Sequence, residues 1–116
     1  MEIWFNPSCS KCVVAKELLD EAGADYTVRR YLDDPPTATE LDQTLSKLGL
    51  EPWDITRLGE PLAKELGLAG LDHDRDKWIG VLTANPSLIQ RPIIVREDGT
   101  AVIGRSEDAV RSVLPR

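Results

Sequence analysis

The sequence predicts an α/β fold with a four-stranded mixed sheet, and three observations predict it. Residues 1–32 have the pattern strand, helix, strand, which is typical of a parallel strand pair joined by a crossover helix. Residues 93–104, "IIVREDGTAVIG", form two short β-like runs around Asp98-Gly99, a strong hairpin signal. The segment between these two regions carries helical patterns, and a final helical pattern follows the hairpin.

The N-terminal elements follow from local patterns. Residues 1–5 contain the alternating run "EIWF", which predicts a strand, and Asn6-Pro7-Ser8 ends it. Apolar residues then recur at helical spacing from Lys11 to Glu21, with Ser8 or Ser10 as the predicted N-cap.

The next two elements are a helix end and a strand. Gly23 is the predicted stop of the first helix, because glycine readily adopts the left-handed conformation that ends helices. The run "DYTVRRYL" at residues 25–32 alternates again and predicts the second strand.

The middle of the chain is predicted to be helical. Thr37 or Thr39 is the predicted N-cap of a helix that ends at Gly49, and Thr37 and Glu40 have the spacing of a capping box. Residues 52–68 predict shorter helical pieces around Gly59 and Pro61, and residues 76–86 predict another helix. After the hairpin, "SEDAVRSVL" predicts a terminal helix capped by Ser106.

This order of elements, β-α-β, helices, then β-β-α, is that of a thioredoxin-like fold with a helical insertion. The insertion is predicted at about residues 37–88, within a single domain that spans residues 1–116. Trp4, Trp53 and Trp78 are interpreted as core or half-buried packing residues.

The composition of the chain argues against two classes of partner, nucleic acids and membranes. The chain is 41% hydrophobic and 29% charged, as expected of a soluble globular protein, and its formal net charge is −6. An acidic surface disfavours non-specific nucleic-acid binding, and no apolar run approaches the ~20 residues that cross a bilayer. There is no secretory signal pattern, so we expect a cytoplasmic protein with no nucleic-acid or membrane partner.

The only two cysteines, Cys9 and Cys12, are the chemically informative residues. A structural disulfide is disfavoured in a cytosolic chain, and a zinc site needs about four ligands where only these thiols and His73 are offered. His73 lies in the acidic segment "LDHDRDK" and is predicted to be a surface residue. The remaining interpretations are a pair of packed, inert thiols and a redox-active or nucleophilic thiol pair.

Chemistry favours a reactive pair with distinct roles. Cys9 is predicted to lie at a helix N-terminus, where unpaired N–H groups and the helix dipole favour the thiolate. Cys12 lies one helical turn further on, close enough to attack a bond formed at Cys9. Cys9 is therefore the candidate nucleophile, and Cys12 the candidate resolving thiol.

Four stretches, "FNPSCSKC", "YLDDPPT", "LIQRPIIV" and "AVIGRSEDAV", resemble the arsenate reductases of the thioredoxin-like fold. The resemblance implies that Cys9 attacks an arsenate-type oxyanion and that three arginines bind this anion: Arg57, Arg91 and Arg105. It also implies structural roles for Asn6, Pro7 and Pro92, the last as a cis proline beside the cysteine. The other arginines are interpreted as solvated surface residues: Arg29, Arg30, Arg75, Arg96, Arg111 and Arg116.

The mechanism implied by the resemblance needs no metal and no bound cofactor. The Cys9 thiolate forms a cysteinyl adduct, a second thiol releases arsenite, and an external glutathione/glutaredoxin, thioredoxin or mycothiol system supplies the reducing power. In the well-known enzymes of this family a histidine precedes the "NP" pair, whereas Phe5 stands here. The helix and the arginines are therefore expected to activate Cys9 without an imidazole.

Two other functions stay open because Cys12 is present. Spx-type regulators have a C-x-x-C pair, sense oxidation through it and bind the α subunit of RNA polymerase, and the terminal "VLPR" resembles the end of such proteins. The third hypothesis is a thiol-disulfide reductase of the same family whose substrate is not arsenate.

Overall fold

The computed structural model describes residues 1–114 and divides the chain into two compact units. The first unit combines Met1–Asp34 with the segment from Arg91 onward, and the second is Pro35–Gln90. The prediction of a single domain stays a prediction. Pro115 and Arg116, which end the "VLPR" motif, lie outside the described residues.

The described residues form four strands and five α-helices. The strands are β1 Glu2–Trp4, β2 Thr27–Arg29, β3 Ile93–Val95 and β4 Ala101–Ile103. The helices are α1 Ser10–Glu21, α2 Ala38–Leu48, α3 Pro61–Glu65, α4 Arg75–Ala84 and α5 Glu107–Arg111. Short 3₁₀ turns cover Pro52–Ile55, Leu68–Gly70 and Pro86–Leu88.

All four strands belong to one sheet of the first unit, in the order β2-β1-β3-β4. Strand β1 is parallel to β2 and antiparallel to β3, and β3 is antiparallel to β4. This arrangement confirms the predicted mixed sheet and the β-α-β and β-β-α ends. Strands β1 and β2 are shorter than predicted, because the ladder between them pairs only three residues on each side.

The core of the first unit lies between the sheet and two helices. Ile3 of β1 and Ile94 of β3 are fully buried and belong to one cluster with Ala15 and Leu19 of α1. Ala15 and Leu19 are four residues apart, so they lie on the same face of the helix. Val110 of α5 joins this cluster, which fixes α1 against the sheet and so places its N-terminus.

The second unit confirms the local helix signals. The Thr37 hydroxyl accepts a hydrogen bond from the Glu40 N–H, and the Glu40 carboxylate accepts one from the Thr37 N–H, each at 3.1 Å. Helix α2 ends at Gly49, whose φ of 69° is in the left-handed region. The predicted helical pieces between residues 52 and 68 are the first 3₁₀ turn and α3.

Aromatic packing also follows the prediction. Trp4 and Trp78 are buried and Trp53 is half-buried. His73 is exposed, as predicted, and its ring stacks on that of Trp53 with centroids 4.2 Å apart. Among residues 1–114, no helix is long and apolar enough to span a membrane.

Candidate active site

The loop that leads into α1 is ordered by the Asn6 side chain. Its carboxamide oxygen accepts a hydrogen bond from the Ser8 N–H at 2.9 Å, and the Asn6 carbonyl accepts one from the Cys9 N–H at 3.0 Å. An asparagine that bonds the backbone two residues on forms an Asx turn, and Pro7 at its centre has a preset φ. The loop therefore holds the backbone of Cys9 in a defined position.

Cys9, and not a serine, is the N-cap of α1. Its backbone is extended, with φ −99° and ψ 117°, and no side-chain oxygen caps the helix. The prediction that Ser8 or Ser10 caps α1 was wrong, because the Asx turn places the N-cap one residue after Ser8, at Cys9, and Ser10 is already helical. The first turn also contains no acidic residue, so no carboxylate competes for its N–H groups.

Cys9 has a lowered pKa. Burial alone raises the pKa of this thiol, but the Cys12 N–H and the Arg91 guanidinium both donate hydrogen bonds to its sulfur, and these lower the pKa further than burial raises it. The positive charge of Arg91 acts in the same direction. Cys9 is thus the thiol that ionises first, and the thiolate is the nucleophilic form.

The pKa of Cys12 is shifted in the opposite direction. Burial and the negative charge of the neighbouring Cys9 raise its pKa to about 12, although the Asn6 N–H lowers it in part. Its side chain is fully buried, whereas Cys9 keeps 7% exposure. Both cysteines are free thiols, and a hydrogen bond between their side chains links them. The pair therefore combines a thiol that ionises more readily than usual, Cys9, with a thiol that is protonated at neutral pH, Cys12.

Two of the predicted arginines meet near this pair. Arg91 donates to the Cys9 sulfur, and Arg105 Nη1 donates to the Arg91 carbonyl at 3.0 Å. The Arg91–Pro92 peptide is cis, as the resemblance implies. The Gly104 N–H donates to the Pro92 carbonyl at 2.8 Å, so the segment before Arg105 is tied to the segment after Arg91.

Gly104 is needed at this junction for its small size. A Cβ there would lie 3.0 Å from Ile94 Cδ1 and 3.2 Å from Val110 Cγ2. Such distances are tighter than ordinary van der Waals contact. The glycine in "IGRSE" therefore lets the chain pass close to the core just before Arg105.

The third predicted arginine, Arg57, belongs to the second unit. Its guanidinium forms an ion pair with Glu60 at 2.7 Å, and its N–H donates to the Leu88 carbonyl. Its role in binding an oxyanion together with Cys9 stays a prediction.

Two arginines interpreted as solvated surface residues have partners that the sequence did not indicate. Arg75 is partly exposed and bridges two carboxylates, with Nε 2.9 Å from Asp42 and Nη1 2.8 Å from Glu51. The side chain of Arg29 is only 12% exposed, and its guanidinium lies 5.8 Å from the ring centroid of Trp4. The prediction was wrong for Arg29, because no local pattern shows that it packs over Trp4.

A cavity of about 200 Å³ in the first unit lies against the loop before Cys9, and Phe5 is part of its wall. A larger one of about 550 Å³ lies by Gly23 after α1 and by the β3–β4 hairpin, away from the thiols in sequence. Within residues 1–114, no three side chains of the metal-binding types are grouped to hold an ion.

The chain is similar to known proteins over almost its whole length. A model of the ArsC family matches residues 4–113. A Streptomyces viridochromogenes protein, known as an uncharacterized protein in the glnII region, is 60% identical over the full length of both chains. An arsenate reductase of Neisseria meningitidis is 37% identical, with 98% of this chain and 97% of that protein covered.

Solved structures show the same fold. The arsenate reductase from Vibrio cholerae matches with a TM-score of 0.91 and 35% identity over 98% of both chains. With the family match over residues 4–113 and the close structural similarity to an arsenate reductase, this thioredoxin-like protein belongs to the ArsC family.

Proposed function

We propose that this protein is a thiol-dependent oxidoreductase of the arsenate reductase type, with Cys9 as its nucleophile. The observation that carries the proposal is that the pKa values of two thiols one helical turn apart are shifted in opposite directions. The pKa of Cys9 is lowered, and that of Cys12 is raised. Cys9 therefore ionises to the nucleophilic thiolate more readily, whereas Cys12 is protonated beside it.

The arginines supply the second part of the proposal. Arsenate is a tetrahedral oxyanion, and planar guanidinium groups bind such anions with paired hydrogen bonds. Arg91 contacts the Cys9 sulfur and Arg105 contacts the Arg91 backbone, so both are suited to hold an anion that reacts at that sulfur. Arg57 is proposed as a third ligand on the resemblance alone.

The proposed reduction of arsenate at Cys9 proceeds through an S–As adduct and a disulfide. The Cys9 thiolate attacks arsenic(V) and displaces a hydroxyl group, which leaves as water after taking a proton, and an S–As bond forms. A second thiolate then attacks the Cys9 sulfur, the S–As bond breaks, and its electron pair stays with arsenic, which becomes arsenic(III). The two sulfur atoms form a disulfide, which an external thiol system reduces for the next turnover.

Cys12 is the proposed resolving thiol, with an external thiol as the alternative. Its side chain lies within hydrogen-bonding distance of the Cys9 sulfur, so no large movement is needed for attack. Its raised pKa is caused in part by the charge of the Cys9 thiolate. That charge is lost once Cys9 has bonded to arsenic, so adduct formation itself favours ionisation of Cys12.

The test is an arsenate-dependent NADPH oxidation assay, run with glutathione/glutaredoxin, thioredoxin and mycothiol systems in turn. Cys9→Ser should abolish turnover with every donor, and Cys12→Ser is the matched control variant. If Cys12 resolves the adduct, Cys12→Ser retains the first step and loses turnover unless an external thiol replaces it. If Cys9→Ser still reduces arsenate, the assignment of the nucleophile is wrong.

The thiol pair also supports a second candidate function, a redox switch of the Spx type. The side chains of Cys9 and Cys12 are close enough to form a disulfide under oxidation, which is what a sensor requires. The discriminating result is the absence of arsenate turnover with all three donors, together with binding to the α subunit of RNA polymerase that changes when the pair is oxidised.

A further inference from the structure

We infer that Asp98, in the turn of the β3–β4 hairpin, is a site of spontaneous isomerisation to isoaspartate. The Thr100 hydroxyl restrains this reaction in the folded protein. The hairpin lies far along the chain from the two cysteines, so the inference does not depend on the proposed thiol chemistry. It assigns a modification site and the residue that controls it.

The sequence singles out one position for this reaction. Isoaspartate forms when the backbone nitrogen of the next residue attacks the side-chain carbonyl carbon of an aspartate or asparagine, and glycine, which has no side chain, hinders that attack least. Asp98 is the only such residue in the 116-residue chain that precedes a glycine. Both asparagines, Asn6 and Asn85, precede prolines, whose nitrogens carry no proton to lose. The unfolded chain should therefore isomerise fastest at Asp98.

The reaction needs no oxidant, reductant or enzyme. The Gly99 nitrogen forms a bond to Asp98 Cγ and loses its proton to solvent, and one carboxyl oxygen leaves as water, which gives a succinimide ring. Water then opens the ring at either carbonyl. Opening at the backbone carbonyl leaves the chain linked through the Asp98 side chain, as isoaspartate. The Asp98 side chain is 49% exposed, so water can reach the ring.

The folded hairpin engages both oxygens of the Asp98 carboxylate. Oδ1 accepts hydrogen bonds from the Thr100 N–H at 3.0 Å and from the Thr100 hydroxyl at 2.7 Å. Oδ2 lies 3.4 Å from Arg96 Nη1. The Thr100 bonds also lower the pKa of Asp98, which disfavours the neutral carboxyl, the form that can lose water. Whichever oxygen leaves must therefore first separate from Thr100 or from Arg96.

The hairpin also restrains the attacking nitrogen. The Gly99 N–H donates to the Arg96 carbonyl at 3.2 Å, and the Arg96 N–H donates to the Thr100 carbonyl at 2.8 Å. Gly99 has a φ of 89°, which a residue with a side chain rarely adopts. The glycine that makes the sequence reactive therefore also allows the tight turn in which its nitrogen is hydrogen-bonded.

The position of the hairpin gives the modification a consequence for the candidate site. Strand β3 starts directly after the Arg91–Pro92 peptide, and β4 ends two residues before Arg105. The two strands pair as far as Val95 and Ala101, on either side of the turn. Isoaspartate inserts an extra carbon atom into the main chain of this turn. We therefore expect it to disturb the ladder that aligns the two arginine-bearing segments.

The test measures isoaspartate after warm incubation at neutral pH, by isoaspartyl methyltransferase labelling and by peptide mapping of residue 98. We expect the folded wild type to isomerise at least about tenfold more slowly than the same protein unfolded in guanidinium chloride, because several hydrogen bonds must open first. Thr100→Val should speed the reaction in the folded protein about fivefold, the effect of one lost hydrogen bond. Thr100→Ser, which retains a hydroxyl, should react at close to the wild-type rate.

Two controls separate the Thr100 hydroxyl from other causes. In guanidinium chloride, Thr100→Val and the wild type should isomerise at the same rate, because the restraint exists only in the folded hairpin. Thr83→Val removes a hydroxyl that donates to the Gly80 carbonyl, and it should change the rate at Asp98 by less than about twofold.

Three results would overturn the inference. The first is an equal rate in the folded and the unfolded wild type, which would mean that the hairpin restrains nothing. The second is a folded Thr100→Val protein that reacts no faster than the wild type, or a difference between the two that persists after unfolding. The third is a Thr100→Ser protein that reacts as fast as Thr100→Val, which would mean that the hydroxyl is not the restraint.

Discussion

The N-termini of α1 and α2 begin helices of similar length but satisfy their first N–H groups differently. Helix α2 has a complete capping box between Thr37 and Glu40. Helix α1 has Cys9 at the N-cap, no capping side-chain oxygen and no acidic residue in its first turn. The first N–H groups of α2 are thus used for stability, whereas that of Cys12 in α1 stabilises a thiolate. Helix α1, which carries the reactive thiol, therefore lacks the capping box that α2 has.

The largest expected effect concerns Arg91, which supplies a hydrogen bond and a charge to Cys9. Arg91→Gln removes the charge, so the pKa of Cys9 should rise and the midpoint of its alkylation by iodoacetamide should move to higher pH. Below that midpoint, each unit by which the pKa rises lowers the rate about tenfold, because only the thiolate reacts. An unchanged midpoint would mean that the helix N-terminus alone activates Cys9.

Loss of the capping box of α2 should be the next largest effect. Thr37→Ala removes the hydroxyl that accepts from the Glu40 N–H, and we expect the free energy of unfolding to fall by about 1 kcal/mol in urea titrations. The rate of Cys9 alkylation should not change, because this cap lies in the other compact unit. A changed alkylation rate would show that the two helix ends are not independent.

The same logic predicts that Cys9→Ser stabilises the protein while it removes the nucleophile. Cys9 already has the extended backbone of an N-cap residue, and at a pH low enough to keep its thiol protonated a serine hydroxyl accepts from the first-turn N–H groups better than the thiol does. We expect the urea midpoint to rise by an amount equivalent to about 0.5 kcal/mol. A fall in the midpoint would mean that the packing of the sulfur contributes more than the missing cap.

The smallest effect is expected from Lys11→Glu, which gives α1 the acidic first turn that α2 already has. A carboxylate there should stabilise α1 by a few tenths of a kcal/mol through the helix dipole. It should also raise the pKa of Cys9 by repulsion and slow its alkylation by a few-fold at neutral pH. Lys11→Gln is the matched control, and its effect should lie between those of the wild type and Lys11→Glu.

Local signals in the sequence were sufficient for most of the fold. Alternation marked the strands, Gly23 and Gly49 ended their helices at positive φ, and the capping box of α2 was visible from residue spacing. These features depend on interactions between residues close in the chain, which a sequence displays directly.

The site was less fully predictable, because it depends on contacts between distant segments. The sequence indicated a reactive Cys9, but the contact of Arg91 with its sulfur arises from the pairing of β1 with β3. Arg75 and Arg29 resembled surface residues because their partners lie elsewhere in the chain or beneath them in the fold.

The complete burial of Cys12 makes it a built-in reporter of unfolding. An alkylating reagent added to the folded protein should modify one thiol rapidly, that of Cys9, while Cys12 is shielded by its complete burial. The second equivalent becomes available only when α1 opens. Its rate of appearance therefore measures how often this helix leaves the sheet, with no label and no added chromophore in the protein.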